Sequence, residues 1–344
     1  MARLSPPLDR IKPWRIGIYT GGEVIGDGLW KLPFIRALRS AFPNAHIIWI
    51  ARSHTVYAGS LAPVVEGLLD TVLDDSGVIR RISDLFKPRP AIGPFDIILD
   101  TQRTVWRAFY LRRLLSRQPR GLMIAPASTY LFSDIKPEPG QQLPRHLGRL
   151  FVQWIEWLVQ EPVQLDRGIE LPADIVAKAG QALPDSAKRY VGFVPGAGDR
   201  RKCWPLARYI DLAGQLVLNR PDAVPAFFLG PDEADWRDEI AAAVPSALFP
   251  EQRQDIWGEG FSPLRAIALG QCLSLAVSND CGTGHMLAAA DCPLISLFGP
   301  TEAEKFKPIT AGGCQVIHAL DFGDSVDMDA IPVRPVLDAV LQKL

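Results

Sequence analysis

The fold class is clearest in residues 273–290, LSLAVSNDCGTGHMLAAA. Its first part, Leu273 to Ser278, is a short apolar run that predicts a buried strand. The glycine-bearing turn 279–285 follows at once, and a helix through Met286 and Leu287 comes next. A strand that leads through a tight turn into a helix is the repeating unit of α/β proteins with parallel sheets.

The same pattern of strand, turn and helix recurs along the chain, so we predict an α/β fold on mostly parallel sheets. A length of 344 residues suits two domains. Prolines and acidic residues within 161–185 place the crossover there, giving an N-terminal domain 1–170, a C-terminal domain 171–330 and a last helix 331–344. The predicted strands are 15–19, 46–51, 71–73, 96–100, 122–124, 190–194, 224–229, 273–278, 293–297 and 314–317.

Composition excludes several classes of protein. With 37 basic and 38 acidic residues the formal charge is −1, so no global field draws the chain onto nucleic acid. The five cysteines include no C-x-x-C pair, which argues against a disulfide framework and against a zinc site. Residues 1–14 lack the apolar core of a signal peptide, and no run of about 18 apolar residues occurs. We therefore expect a cytoplasmic protein.

The first candidate site is the loop after the first predicted strand, because ligands of α/β domains bind at the carboxyl ends of strands. Residues 21–28 contain four glycines, which indicate unusual backbone angles or the close approach of a ligand. The dinucleotide fingerprint is absent, since Lys31 stands where its third glycine would be. Asp27 could accept a proton from an attacking hydroxyl. Alternatively, Asp27 only caps the helix that follows.

The second candidate site is PGAGDRRKCWP, residues 195–205, after the strand 190–194. Glycines such as Gly196 free backbone N–H groups, and three successive cations precede a helix, so the segment suits a diphosphate. Lys202 would neutralise the negative charge that grows on a departing phosphate. The alternative is a solvated basic turn without a ligand.

The third candidate site is the turn 279–285, which opens a helix. Its exposed amides and the positive end of the helix dipole suit a phosphate. His285 could donate a hydrogen bond to that phosphate, or it is only a satisfied polar residue of the first helical turn. The segment LFGPT, residues 297–301, is another turn of this kind at the same predicted sheet edge.

Six arginines with no acid between them mark residues 103–120. If the segment is one helix, five of them fall within an arc of roughly 140°. Such a basic and aromatic face could bind a phosphorylated glycolipid or the inner-membrane surface, through Arg103, Arg107 and Arg117. A merely solvated helix is the alternative.

Four motifs, taken together, resemble glycosyltransferase family nine, the heptosyltransferases. They stand in the family's order and spread over about residues 15–310. They are Gly26-Asp27 with Leu32-Pro33, Lys202-x-Trp204-Pro205, Asn279-Asp280-x-Gly282-x-x-His285 with Ala288-Ala289-Ala290, and Leu297-Phe298-Gly299-Pro300-Thr301.

The resemblance implies a GT-B architecture of two Rossmann-like domains facing across a cleft. It implies inverting, metal-independent transfer of heptose or a similar sugar from an ADP-sugar or another nucleotide sugar, with no further cofactor. The acceptor would be a hydroxyl of the lipopolysaccharide core or another glycan. Asp27 matches the general base, and Lys202 matches the lysine at the donor phosphates. With the clusters above, the expected substrate-binding positions are Gly26, Gly28, Gly196, Arg201, Asp280, Cys281, Gly282, Thr283 and His285.

Two departures from the family pattern keep alternatives open. Cys281 stands where the family usually has Ser or Thr, so a hydroxyl contact to phosphate is lost while the backbone amide remains. Gly28 replaces the usual apolar residue after the aspartate. Both favour a non-catalytic nucleotide-sugar-binding protein as one alternative, and a sugar-nucleotide epimerase of the same fold is another. A nicotinamide dehydrogenase lacks its glycine fingerprint here.

Overall fold

The computed structural model describes residues 7–86, 91–116, 120–163 and 169–344. The chain divides into two compact units, Met1–Asp166 (unit 1) and Arg167–Leu344 (unit 2). Within the described ranges, no helix has both the length and the apolar character needed to cross a bilayer.

Unit 1 contains a five-stranded, fully parallel sheet in the order β3-β2-β1-β4-β5. Its central strands are almost completely buried, as expected where helices cover both faces of a parallel sheet. The strands are β1 Arg15–Thr20, β2 His46–Ala51, β3 Thr71–Leu73, β4 Ile97–Asp100 and β5 Leu122–Ile124.

The helices of unit 1 connect these strands. Apolar side chains of α1 pack against α5, where the rings of Phe34 and Phe151 meet edge to face at 5.5 Å. Ser128 and Thr129 give the short α4 a left-handed backbone. The helices are α1 Ile25–Ala41, α2 Ala62–Val65, α3 Val105–Leu111, α4 Ala127–Tyr130 and α5 Leu147–Val159, with 3₁₀ turns at Val56–Ala58, Ile82–Phe86 and Arg112–Leu114.

Unit 2 repeats the same plan with a parallel sheet in the order β10-β9-β8-β6-β7. One apolar cluster covers each face of this sheet. The strands are β6 Arg189–Val194, β7 Ala223–Phe227, β8 Leu275–Asn279, β9 Leu294–Phe298 and β10 Cys314–His318.

The last helix of unit 2 packs on its sheet through apolar side chains. Val336 and Val340 are fully buried in the same cluster as Leu212 and Leu216 of the first helix after β6. The helices are α6 Ala173–Ala182, α7 Leu206–Asn219, α8 Trp236–Ala243, α9 Gln254–Trp257, α10 Pro263–Gly270, α11 Gly282–Ala289, α12 Ala303–Phe306 and α13 Val333–Lys343, with 3₁₀ turns at Arg200–Lys202, Pro231–Glu233, Pro250–Gln252, Ala319–Phe322 and Met328–Ala330.

Each strand predicted from the sequence is present, with small differences at its ends. The largest shifts concern β7, predicted at 224–229 and observed at Ala223–Phe227, and β8, predicted at 273–278 and observed at Leu275–Asn279. The predicted α/β class, two parallel-sheet Rossmann-like units, is confirmed.

Candidate functional site

The strand order of unit 2 reverses between β6 and β8, where the connections leave in opposite directions. Such a switch point leaves a crevice at the carboxyl ends of the strands, the usual ligand site of open α/β sheets. The loops 195–205 and 279–285 leave these two strands, so the fold brings the second and third predicted sites together.

Asn279, the last residue of β8, joins the two loops by hydrogen bonds. Its side-chain Oδ1 accepts from the backbone N–H of Trp204 at 3.1 Å and from Tyr209 Oη at 3.2 Å. Its Nδ2 donates to the carbonyl oxygen of Pro195 at 2.8 Å. Asn279 is buried, and both polar atoms of its side chain are hydrogen-bonded. This amide therefore fixes the two loops to each other.

Lys202 and Asp280 form an ion pair at this edge. The Lys202 ammonium lies 2.9 Å from Asp280 Oδ2, and Thr301 Oγ1 donates to the same oxygen at 2.8 Å. The Asp280 side chain is 8% exposed, whereas that of Lys202 is 28% exposed. Asp280 and Thr301 therefore hold the lysine in place while part of its side chain still reaches solvent.

The three successive cations of the second cluster have different partners. Arg201 pairs with Asp199 at 2.7 Å on the surface, and this pairing lowers the pKa of Asp199 to about 2. Arg200 lies 3.7 Å from Glu233 and stacks over the ring of Trp236. Of the three, only Lys202 is directed to the loop after β8.

Gly196 is explained by a carboxylate that the sequence did not single out. A Cβ on Gly196 would lie 2.5 Å from Cδ of Glu233, so a larger residue there would displace the Glu233 carboxylate. Glu233 ends the 3₁₀ turn that follows β7 and is 6% exposed. Burial raises the pKa of this carboxyl, and Arg200 opposes the rise. An acidic residue soon after the second strand of the domain was the available sequence signal.

The start of α11 is the part of the turn 279–285 that carries the helix dipole. Cys281 occupies the N-cap position. Burial raises the pKa of its thiol to about 12. This effect outweighs the opposite effect of hydrogen bonds from the backbone N–H groups of Gly284 and Thr283. The thiol is therefore neutral at neutral pH. The space beside Gly282 is open, and His285 lies partly buried in the first turn.

In unit 1, Asp27 lies within the first turn of α1. The N-cap is Val24, which makes no side-chain capping bond, so the helix-cap interpretation of Asp27 is wrong. Asp27 is exposed, and its Oδ1 accepts a hydrogen bond from Trp30 Nε1 at 3.1 Å. The first helical bond runs from the N–H of Gly28 to the carbonyl of Val24, which starts the helix earlier than the aspartate.

A buried ion pair fixes the loop before Asp27, and no sequence pattern indicated it. Lys31 and Glu23 are 5% and 7% exposed, and the Lys31 ammonium lies 2.8 Å from Glu23 Oε1. The hydroxyl of Thr20 binds both groups, and the Trp49 indole N–H lies 3.4 Å from Glu23 Oε2. The pair joins the end of β1 to α1.

The glycines of the first loop serve close packing. Gly22 has φ +117°, and a Cβ there would collide with Ser53. A Cβ on Gly28 would lie 2.7 Å from Cγ2 of Val56, and the hydroxyl of Tyr57 donates to the Gly28 carbonyl at 2.5 Å. The close approach at Gly28 is therefore to a protein segment. Gly26 is partly buried in the first turn of α1.

The predicted arginine face on one long helix is wrong. The helix α3 ends at Leu111, because the chain then pairs with Phe95 and buries Leu114 and Leu115. Arg103 precedes the helix and Arg107 lies on it. Arg112 pairs with Asp134 at 2.6 Å, and Arg117 lies outside the described residues.

Among the described residues, no group of three or more His, Cys, Asp and Glu side chains suits a metal ion.

Residues 93–327 match the profile of glycosyltransferase family 9, the heptosyltransferases. The chain belongs to this family.

Relatives in the family include lipopolysaccharide heptosyltransferase 2 of Salmonella typhimurium, 33% identical over 129 residues, or 36% of this chain and 35% of that protein. Lipopolysaccharide heptosyltransferase 1 of Pseudomonas aeruginosa is 24% identical over 294 residues, or 80% of this chain and 76% of that protein. The match thus spans about a third of the length of the Salmonella protein.

Solved structures of family 9 proteins share the fold of this chain. One from Veillonella parvula has a TM-score of 0.71 at 17% identity and covers 97% of this chain and 98% of its own. The E. coli heptosyltransferase WaaC with ADP has a TM-score of 0.65 at 18% identity, covering 96% and 100%. The predicted family and the predicted GT-B fold class are confirmed.

Proposed function

We propose that this family 9 protein is an inverting glycosyltransferase that moves heptose or a similar sugar from an ADP-sugar. The acceptor is a hydroxyl of the lipopolysaccharide core or of another glycan. The observation that carries the proposal is the Lys202, Asp280 and Thr301 arrangement, which holds a cation beside the start of α11 at a switch point.

The donor diphosphate binds, in this proposal, between the Lys202 ammonium and the positive end of α11. Helix N-termini attract phosphate through unpaired N–H groups and the aligned peptide dipoles. The open space beside Gly282 lets phosphate oxygens approach the backbone. As the sugar leaves, the growing charge on the diphosphate is met by these fixed groups, so the proposed reaction needs no metal ion.

The nucleoside binds at the end of β7. The buried Glu233 carboxylate there suits the ribose hydroxyls, as acidic residues at the equivalent place do in dinucleotide-binding folds. Next to it, Gly230 and Pro231 line an open cavity of about 710 Å³. Glu251 Oε1 and Gln252 Oε1, also at this cavity, have no hydrogen-bond partner within the described part of the chain. Such acceptors suit the exocyclic amine of adenine.

Asp27 is the proposed general base. The Trp30 indole holds one carboxylate oxygen, and the other has no hydrogen-bond partner among the described residues. The acceptor oxygen attacks the anomeric carbon as its proton passes to Asp27 and the bond to the diphosphate breaks. A single displacement of this kind inverts the anomeric configuration.

A second candidate, binding of a nucleotide sugar without transfer, is favoured by one observation: Asp280 already neutralises Lys202. Product analysis separates the two. The chain is incubated with ADP-, UDP- and GDP-sugars and a core oligosaccharide acceptor, and NMR determines the anomeric configuration of any product. We expect transfer with inversion from the ADP-sugar. Donor binding without any product would support the second candidate and contradict the first.

A further inference from the structure

Trp30 lies one helical turn after Asp27 on α1 and contacts its carboxylate. The indole Nε1 of Trp30 donates a hydrogen bond to Asp27 Oδ1 at 3.1 Å. Residues three apart in a helix lie on the same face, so the contact fits regular helix geometry. Asp27 is exposed, and an exposed side chain rotates among several rotamers unless a neighbour holds it. The indole N–H therefore limits the directions that this carboxylate takes.

The ring of Trp30 is itself held by aromatic side chains of α5. Its centroid lies 5.6 Å from that of Phe151, and the rings of Phe151 and Trp154 are 4.6 Å apart. Phe151 is 3% exposed and Trp154 is 0% exposed. Aromatic rings at these separations attract one another. Trp30 thus links the exposed carboxylate of Asp27 to the buried contact between α1 and α5.

The backbone and the other side of Trp30 are also restricted. A Cβ on Gly148 of α5 would lie 3.0 Å from the carbonyl oxygen of Trp30, so the two helices approach each other closely at this residue. The Lys31 ammonium lies 5.5 Å from the centroid of the Trp30 ring. Because Lys31 is fixed by its buried pair with Glu23, it leaves the indole little room to move.

We propose that Trp30 is a positioning residue for the transfer reaction. Its indole N–H, held in place by Phe151, orients the Asp27 carboxylate and leaves Oδ2 for the proton of the acceptor hydroxyl. This role rests on the proposed function, in which Asp27 is the base. A base that already has one orientation loses less freedom when the reacting groups align. The N–H also favours the charged form of the carboxylate, which is the form that accepts a proton.

Two substitutions separate this hydrogen bond from packing. Trp30→Phe keeps an aromatic ring against Phe151 but removes the N–H, and it should lower kcat about tenfold, the loss of one hydrogen bond to a charged group. The KM for the donor should not change, because the proposed donor site lies in unit 2. Trp30→His restores a ring N–H and should recover part of kcat at pH 8, where an exposed imidazole is neutral.

Trp14→Phe is the matched control for the loss of an indole N–H. Trp14 also lies in unit 1, and its Nε1 donates to the carbonyl oxygen of Asp9 at 2.6 Å. The control substitution removes a hydrogen bond that does not involve Asp27, so kcat should stay at the wild-type value. Thermal unfolding of every variant verifies that the fold is intact.

Two kinetic measurements show whether Trp30 acts through Asp27. The acid side of the kcat/KM profile should move up by roughly half to one pH unit in Trp30→Phe, because the charged carboxylate loses a donor. Combined with Asp27→Asn, Trp30→Phe should cause no further loss, since the base is already absent. A wild-type kcat with an unmoved pH profile in Trp30→Phe would overturn the positioning role, as would the same loss in the Asp27→Asn background.

NMR of the indole N–H groups tests the hydrogen bond without turnover. In isotope-labelled protein, Asp27→Ala should shift the Trp30 indole signal and speed its exchange with solvent, while the Trp14 signal stays in place. An unmoved Trp30 signal would overturn the proposal. If the wild-type chain transfers sugar and Trp30→Phe is equally fast, only the positioning role fails. If the wild-type chain forms no product from any donor, the proposed function and the positioning role fail together.

Discussion

Lys202 and Asp280, 78 residues apart in the chain, form a 2.9 Å ion pair at the switch point of the second sheet. The pair gives the lysine one position and shares its acidic oxygen with Thr301. A lysine that is already placed loses less conformational freedom when a diphosphate binds. In this account Asp280 positions Lys202, and Lys202 contacts the donor.

We predict that Asp280 and Lys202 act as one unit. Lys202→Gln should reduce kcat/KM about 100-fold or more, because a cation facing the leaving group is lost. Asp280→Asn should reduce it less, and the double variant should be no worse than Lys202→Gln alone. Steady-state kinetics of all three give the coupling. Additive losses would mean that Asp280 does not act through Lys202.

The buried pair of Lys31 and Glu23 should dominate the local stability of the first loop. Lys31→Met leaves a buried carboxylate without its cation and should lower the free energy of unfolding by about 3–5 kcal/mol. Adding Glu23→Gln should recover part of this loss. Urea unfolding measures both variants. A loss below about 1 kcal/mol for Lys31→Met would show that the pair is hydrated and weak.

Cys281 should be unreactive in the folded protein. Burial raises the pKa of its thiol to about 12, and only the thiolate reacts with iodoacetamide. Mass spectrometry after a short treatment at pH 8 should show Cys281 unmodified, while guanidinium-unfolded protein is alkylated at this position. Modification of the folded chain at the rate of the unfolded chain would contradict this environment.

Asp100 should make stability depend on pH. Its folded pKa of about 8 lies above the ordinary value of 3.8, so the folded state keeps the proton longer. The contribution of Asp100 is fully present below about pH 4 and is lost as the pH rises to about 8. Asp100→Asn has no such proton, so its stability relative to wild type should rise between pH 5 and pH 9.

Urea unfolding at several pH values measures this difference, with the exposed Asp338→Asn as the control. A difference between Asp100→Asn and wild type that stays constant with pH would show that the Asp100 carboxyl is not shifted.

The strands could be predicted because each is a short apolar run bounded by turn residues, as in residues 46–51 and 71–73. The arginine face could not, because burial of Leu114 and Leu115 against Phe95 overrides a helical pattern that looked continuous. The spacing of residues in a sequence predicts which side chains would share a helix face. Where the helix ends depends on tertiary contacts.

The sequence predicted several residues of the candidate site, but it did not predict the contacts between them. Lys202 and Asp280 were both singled out, but their pairing depends on the sheet order, which places β6 beside β8. Glu233 and the pair of Glu23 with Lys31 were missed, because a charged residue is expected to be exposed unless its partner is known.

Substitution of Asp27 tests the proposed sugar transfer directly. Asp27→Asn keeps the size of the side chain and its contact with Trp30, but it removes the base. Turnover should fall about 10²–10⁴-fold while ADP binding, measured by calorimetry, and the unfolding temperature stay at wild-type values. Near-wild-type turnover by Asp27→Asn, with fold and ADP binding intact, would contradict the account.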